Sequence, residues 1–341
     1  MQQILQICPH DSSPFGELCD RYRNAAESIG CSVVTVYLSE PSGTAKADST
    51  YLGIQELAGT TAIRAAMRPL AKKPWDLVIC HRYRSYRAAA SVGLASERCV
   101  VVAHEYGLLT RWQRRLHRRM FSRACRFAGI APALAAELGL VTGETLVLPN
   151  VLDVDAVSKQ FLSQVEAREK LGLESGDLTI GVVGRLHYKK RPELALEAFK
   201  MFAESCPDSR LVFLGDGEER AKLERQAVPN VQLLGNVPDA MKIFKAFDVV
   251  LHTAKVESFG MVVLEAMLAG VPVVALRGYG PEFVLDDLGF YTENDTAGAF
   301  ASALSDAISA DRSELAQKGV ARAEQHFSVQ CLARKLSDLL D

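Results

Sequence analysis

The chain of 341 residues lacks a dominant charge: 39 Lys and Arg face 41 Asp and Glu, for a formal net charge of -2. The molecule as a whole is therefore no polyanion binder, and a nucleic-acid partner is not expected, although local basic patches are compatible with that balance. No window approaches the roughly 18 uninterrupted apolar residues that a bilayer span requires. Between Met1 and Cys8 there is no basic region followed by a long apolar run, so no secretory signal is visible. None of the eight cysteines, at 8, 19, 31, 80, 99, 125, 206 and 331, forms a Cys-x-x-Cys pair. Several lie in apolar runs, such as Cys80 in DLVIC and Cys99 before VVVA, and read as small buried hydrophobes in a reducing compartment. The expected location is the cytoplasm.

What is present is an alternation. Hydrophobic residues at 48% and charged ones at 23% are ordinary for a globular protein, and the length suggests two domains. Strand candidates are QILQIC (3–8), SVVTVYL (32–38), DLVIC (76–80), CVVVA (99–103), TLVL (145–148), TIGVVG (179–184), RLVFLG (210–215), VQLLG (231–235), DVVLH (248–252) and VPVVA (271–275). Between them, Phe15, Leu18, Cys19, Tyr22, Ala26 and Ile29 recur at helical spacing, as do Leu194, Ala195, Ala198, Phe199 and Phe202. Continuous apolar strands alternating with helices predict an α/β fold with parallel sheets covered on both faces. The polar stretch 150–177, with Gly172 and Gly176, separates two such series, giving domains 1–154 and 155–325. The expected architecture is two facing Rossmann-like domains with an interdomain cleft, the usual place for a ligand.

Two segments of the second half carry chemistry. In TIGVVGRLHYKKRPE, a buried strand ends at Gly184, Arg185 and Lys190 follow, and a helix starts near Pro192. Glycine lets the backbone approach a ligand, a helix start offers free N–H groups to an anion, and Arg and Lys grip phosphate oxygens. The plainer alternative is a solvated basic loop. The second segment, Glu257-Ser-Phe-Gly-Met-Val-Val-Leu-Glu265, places one carboxylate in the loop after DVVLH and another inside a mostly apolar helix. An ionised carboxylate there needs partners, and a ribose diol would supply two donors; a structural salt bridge would serve equally.

GRLHYKK and the Glu-x7-Glu segment together resemble the donor-site signature of retaining glycosyltransferases of family 4, which have the GT-B fold and include enzymes of lipopolysaccharide and envelope polysaccharide synthesis. LVFLGDGEE, LLGNVPD and LAGVPVVA stand in the family's order, and LPNVLD and RFAGIAPALAAEL resemble its segments before the second domain. The resemblance implies that Arg185 and Lys190 bind a diphosphate, that Glu265 holds ribose hydroxyls and that Glu257 contacts the transferred sugar. It places the backbone N–H groups of Phe259, Gly260, Met261 and Val262 at sugar and phosphate, and Val237, Asp239 and Lys242 at the base. Gly184 ends the donor-side strand, and Gly215 and Gly217 shape a neighbouring loop. His104, in VVVAHEYG, matches the family histidine near the reacting carbon, with His81 the second candidate. Gly16 is the one glycine left in a loop that normally carries two near the phosphate. Arg191 and Val151 stand where the family has glycine. The last helix, 326–341, is expected to cross back onto the first domain.

One further feature is basic. Residues 111–126 hold seven arginines and no acid. At about 100° per residue, Leu108, Leu109, Trp112, Leu116, Met120 and Phe127 fall on one helical face. Arg111, Arg114, Arg115, Arg118, Arg119 and Arg126 fall on the opposite arc. Such a helix suits an anionic bilayer or a phosphorylated acceptor; a core-packed helix with a solvated basic face is the alternative.

The expectation is thus a metal-independent transferase moving a hexose from a UDP- or GDP-sugar to a membrane-associated envelope acceptor, with lipopolysaccharide core preferred, at the inner membrane face. No cofactor or metal is expected, Asp153-Val-Asp155 being read as a chance Asp-x-Asp. The alternatives are a transferase acting on a soluble small molecule or glucan, or an epimerase, hydrolase or nucleotide-sugar-binding protein on the same fold. A dinucleotide enzyme is disfavoured because Arg220 stands where a third glycine would follow Gly215-Asp-Gly217.

Overall fold

Strands buried along nearly their whole length cannot sit at a solvated face, and the chain stacks them into two parallel sheets. In the computed structural model, which describes residues 1–13, 15–55, 58–106, 125–174, 176–226 and 228–341 (without side chains at 141 and 142), the chain divides into two units. Unit 1 comprises Met1–Asp153 with His326–Asp341, and unit 2 comprises Val154–Gln325. Unit 1 contains β1 (Gln3–Cys8), β2 (Ser32–Tyr37), β3 (Ser49–Tyr51), β4 (Leu77–His81), β5 (Cys99–Ala103), β6 (Arg126–Gly129) and β7 (Thr145–Val147). Unit 2 contains β8 (Leu178–Val183), β9 (Ser209–Leu214), β10 (Val231–Gly235), β11 (Val249–His252), β12 (Val273–Leu276) and β13 (Phe290–Thr292).

The sheet orders are β3-β2-β1-β4-β5-β6-β7 and β10-β9-β8-β11-β12-β13. In each, the chain winds outward from a central strand, then returns to that strand's other side. The reversal falls between β1 and β4 in unit 1 and between β8 and β11 in unit 2. There the loops leaving the carboxyl ends of neighbouring strands part to opposite faces and leave room for a ligand.

Each sheet has its own core. In unit 2, Leu196, Phe199 and Phe202 of the helix Pro192–Ala203 and Phe300 and Leu304 of the helix Ala297–Ala307 pack with Phe213 and Leu251. In unit 1, Leu5, Val78 and Val101 meet Met67, Trp75, Tyr86 and Phe127. Six of the eight cysteines are buried, and all eight are free thiols.

The ten strand candidates all form, with bounds shifted by a residue or two. Three strands were not expected. β3 and β13 are three-residue edge strands, too short for periodicity to register. β6 corrects the basic-helix reading at its end: Arg126 and Phe127 are extended, pairing with Val100 and Val101 of β5. Phe127 is 2% exposed in the core, and Arg126 donates to the Leu339 carbonyl at 2.8 Å. Arg111, Arg114, Arg115, Arg118, Arg119 and Trp112 lie outside the described residues. Ile29, expected on the buried face of its helix, is 37% exposed because that helix ends at Ser28. The stretch 150–177, expected as a polar seam, holds the helix Gln164–Leu171. Ser163 and Glu166 cap it reciprocally, and Arg168 is tied to Asp248 at 2.7 Å.

The helix Val329–Leu340 begins at Ser328, whose hydroxyl accepts from Cys331 N at 3.1 Å. Leu152 and Ser328 form a parallel bridge, and Leu332 and Leu336 are fully buried. Leu336→Ala removes buried methyl groups from a site with little room to collapse, and is expected to cost about 2–5 kcal/mol. Urea unfolding of unit 1 reads this directly, and a loss under about 1 kcal/mol would show that the helix contributes little to that core.

Candidate functional site

In unit 2 the loop after β8 and the loop after β11, neighbours at the sheet's reversal, are joined by one ion pair. Lys190 Nζ donates to Glu257 Oε2. Lys190 is held by backbone contacts: its N–H donates to His187 O at 2.8 Å. The buried Thr253 hydroxyl lies 2.9 Å from the Lys190 carbonyl and 3.0 Å from the Arg191 carbonyl. Arg191, where the resemblance expects glycine, has φ 54° and ψ 51°, the left-handed conformation that glycine adopts most easily. Its guanidinium reaches Asp295 at 3.2 Å.

Glu257 is mostly buried, and His252, the last residue of β11, stands 3.5 Å from its Oε2. Burial pushes the Glu257 carboxyl up, but the adjacent His252 and the Lys190 ammonium outweigh it and bring the value down to about 2. Gly280 N donates to the Glu257 carbonyl at 2.9 Å. A side chain on Gly280 would come within 2.4 Å of Phe259 Cα, so the two loops can approach only with glycine there. The helix Met261–Leu268 follows, with Gly260 as N-cap at φ 90°. Its first amides, Met261 and Val262, precede any intrahelical acceptor. Glu265, one turn further on, is half-buried.

The remaining expected residues lie nearby in sequence but in their own settings. Arg185 is exposed and points to Glu218 at 3.4 Å, not to the Lys190–Glu257 pair. Gly184 directly follows β8, with φ 132°. A Cβ at Gly215 would sit 2.0 Å from the Gly184 carbonyl oxygen, and one at Gly217 2.3 Å from that of Leu186. Those glycines let the β9 loop press against the β8 loop, where Leu186 N donates to Asp216 O at 2.9 Å. Val237 is half-buried, and Asp239, at φ 54°, is paired with Lys242 at 2.8 Å in the turn after β10.

In unit 1, His81 ends β4 and His104 follows β5. His81 is fully buried, and its Nδ1 lies 3.1 Å from His104 Nε2. Burial, then the Arg82 charge, lower His81 to about 3; burial, then His81 and Arg82, lower His104 well below its usual value. Both rings are therefore neutral near pH 7. Gly16 lies in the first turn of the helix Phe15–Ser28, where a Cβ would fall 2.1 Å from the Asp11 carbonyl oxygen; packing alone calls for glycine there.

Among the described residues one cluster has metal-type donors, Cys8, Cys19 and His81. Its donors already serve one another: Cys8 Sγ lies 2.9 Å from Cys19 Sγ, and His81 Nε2 lies 3.2 Å from Gln6 Nε2. Burial raises the Cys8 thiol well above its usual value, which opposes the thiolate a metal needs. Asp155 lies in the first turn of the helix Val154–Ser158. His252 and Gln6 were not singled out in the sequence. Each is a polar residue next to apolar ones, His252 after VVL and Gln6 within ILQIC, and that is the available signal.

Two parallel α/β units with these reversals define the GT-B glycosyltransferase fold class. The chain superposes on a crystal structure of Anabaena Alr3699/HepE in complex with UDP with a TM-score of 0.80, at 18% identity, covering 100% of this chain and 99% of that one. Residues 163–326 match the model of the family Glycosyl transferases group 1. It is 29% identical over 246 residues to the 2-deoxystreptamine glucosyltransferase of Streptomyces kanamyceticus, covering 69% of this chain and 59% of that protein. It is 27% identical over 176 residues to the alpha-monoglucosyldiacylglycerol synthase of Streptococcus pneumoniae, covering 47% of this chain and 40% of that protein. The chain thus spans about half the length of these curated relatives. Among the described residues, no helix is long and apolar enough to cross a membrane.

The Glu257 value fixes the sign of a pH effect. A carboxyl with a folded value of about 2, below its usual 4.5, adds stability that is full above about pH 5 and is lost as pH falls toward 2. The Tm gap between wild type and Glu257→Gln is therefore expected to shrink between about pH 5 and about pH 3. A gap constant over that range would mean that the ion pair contributes nothing to folding.

Proposed function

We propose that the chain is a metal-independent retaining glycosyltransferase that moves a hexose from a nucleotide-diphosphate sugar to a membrane-associated envelope acceptor. The observation that carries this reading is the Lys190–Glu257 pair at the reversal of the unit 2 sheet. It sets an ammonium and a carboxylate side by side where a diphosphate sugar needs one of each. The match of residues 163–326 to the group 1 family supports the reaction class, and the UDP held by the Anabaena protein supports the donor class.

The difficult step is departure of the nucleoside diphosphate from the anomeric carbon. Charge grows on the leaving oxygen, so fixed positive groups there stabilise the transition state more than the ground state. Lys190 and Arg185 supply charge, and the backbone amides of Phe259, Gly260, Met261 and Val262 supply N–H donors at a helix start. These groups take the part a divalent metal plays elsewhere. Glu257 accepts hydroxyls of the transferred sugar, Glu265 accepts the ribose diol, and Val237, Asp239 and Lys242 meet the base. Gly16 and Gly184 let backbone approach the donor, and His104 bonds the sugar. The acceptor hydroxyl attacks from the leaving-group side, its proton passing to the departing phosphate, so configuration is retained without a separate base.

Lys190→Ala is expected to lower turnover by about 10²–10³ and to weaken the thermal stabilisation given by UDP-glucose or GDP-mannose. EDTA is expected to leave the wild-type rate unchanged. Near-normal donor use by Lys190→Ala would move the phosphate site elsewhere, and an absolute Mg2+ or Mn2+ requirement would overturn metal independence.

For the acceptor, the arginine-rich stretch 111–126 supports an anionic lipid surface at the inner membrane face, with lipopolysaccharide core as the preferred acceptor. The name of the Streptomyces relative favours a second reading, a soluble small-molecule acceptor. Pelleting with phosphatidylglycerol vesicles at low salt, lost at high salt, is the outcome expected of the first. Equal binding to phosphatidylcholine vesicles would refute it.

A further inference from the structure

A chain of buried polar contacts in unit 1 fixes where two protons sit. Gln6 lies in β1 and is 1% exposed. Its Nε2 is 3.0 Å from the Cys19 carbonyl oxygen and 3.2 Å from His81 Nε2. A carbonyl oxygen only accepts, so the group facing Cys19 is the amide NH2; the flipped amide would set two acceptor oxygens against each other. The cost of this orientation is a buried Gln6 Oε1 without a hydrogen-bond partner.

One N–H of that group donates to the Cys19 carbonyl; the other faces His81 Nε2 at 3.2 Å and, more distantly, Cys8 Sγ at 3.7 Å, and an NH2 group offers His81 Nε2 no acceptor for a proton. His81 Nε2 therefore carries no proton. A neutral imidazole has one, so it is on Nδ1. His81 Nδ1–H then donates to His104 Nε2 across 3.1 Å. His104 Nε2 is in turn the acceptor, and the His104 proton is on Nδ1. The rings of Phe15 and Tyr22 stand edge-on to His81, with centroids 5.9 and 4.7 Å away, and help hold its plane. The charged and titratable groups around the pair are Arg82, whose guanidinium lies over the Phe15 ring, Glu105 beside Arg82, His10 against Phe15, and the thiols of Cys8 and Cys19.

We propose that Gln6 and His81 are positioning residues which hold His104 as a neutral hydrogen-bond donor through Nδ1, with its Nε2 occupied. His104 then has no free basic nitrogen with which to take the acceptor's proton. As an uncharged donor it bonds an oxygen of the sugar without adding positive charge beside a carbon that is itself becoming positive. This rests on the placement of His104 at the transferred sugar, but the proton positions are a property of the protein without substrate.

The test is 15N NMR of the substrate-free protein with ring-labelled histidine, with His104→Asn and His81→Asn assigning the signals. Protonated Nδ1 and unprotonated Nε2 are expected on both rings; a protonated His104 Nε2 in the wild type overturns the relay. Gln6→Leu removes both N–H groups, leaves nothing to hold His81 Nε2 as an acceptor, and is expected to abolish the fixed tautomer on both rings. Turnover of UDP-glucose or GDP-mannose should then fall about 10–100-fold in kcat with KM little changed. Should that variant not fold, the wild-type spectrum still decides. Full turnover by His104→Ala would sink the sugar-site reading and leave the relay standing, so the two failures are distinguishable.

Discussion

The second unit is organised around holding a lysine and a glutamate together where two neighbouring strands end. A carboxylate as buried as Glu257 would be costly alone, since burial favours its neutral form. Lys190 and His252 reverse that preference. The pair needs its backbones fixed, because Lys190 closes a single 3-10 turn and Glu257 lies in a loop. The Thr253 hydroxyl ties the lysine loop from β11's side, and Gly280 ties the glutamate loop from the far side of the helix Met261–Leu268. Gly215 and Gly217 let the β9 loop brace the β8 loop from the other flank. A charge pair assembled this way is pre-organised, so a ligand of the proposed class would meet a loop already ordered.

Unit 1 solves a related problem without charge. Polar groups from β1, β4 and the residue after β5 meet in the interior and bond in series, with Gln6 Oε1 left unpartnered. Gln6 and His81 lie in, and His104 directly after, three strands that are adjacent in the sheet but distant in sequence, so the parallel topology brings them together. Low dielectric makes such a network demanding, since an unpaired member is expensive, and it makes the arrangement specific for the same reason.

Strand positions were legible because a parallel strand covered on both faces must be apolar throughout, and CVVVA or VQLLG has few other readings. The charged loops were legible because Arg185, Lys190, Glu257 and Glu265 flank those strands. What could not be read has physical causes. β3 and β13 lie at sheet edges, where one-sided pairing relaxes the demand for apolar residues. β6 was drawn into the basic helix because Phe127 happened to fit a 3.6-residue period, whereas its burial comes from pairing with Val101. His252 and Gln6 are single polar residues in apolar runs, and only contacts across the sheet reveal what each one faces. The expected partnership of Arg185 with Lys190 is not a side-chain contact: Arg185 turns to Glu218 instead.

Arg191 shows how a departure from the resemblance is absorbed. Glycine takes the left-handed conformation freely, whereas an L side chain there costs about 1–2 kcal/mol. The chain keeps arginine and still makes the same turn, with φ 54°. Two contacts offset the cost: the Thr253 hydroxyl at the Arg191 carbonyl and Asp295 at its guanidinium. The conformation that presents Lys190 is thus set by tertiary contacts and not by the residue's own freedom. The loop's geometry is thereby coupled to β11 and to the segment after β13, the former being the strand that also supplies His252. Substituting Arg191 and disturbing Thr253 would therefore act on one shared structure, and their effects should not add as independent changes would.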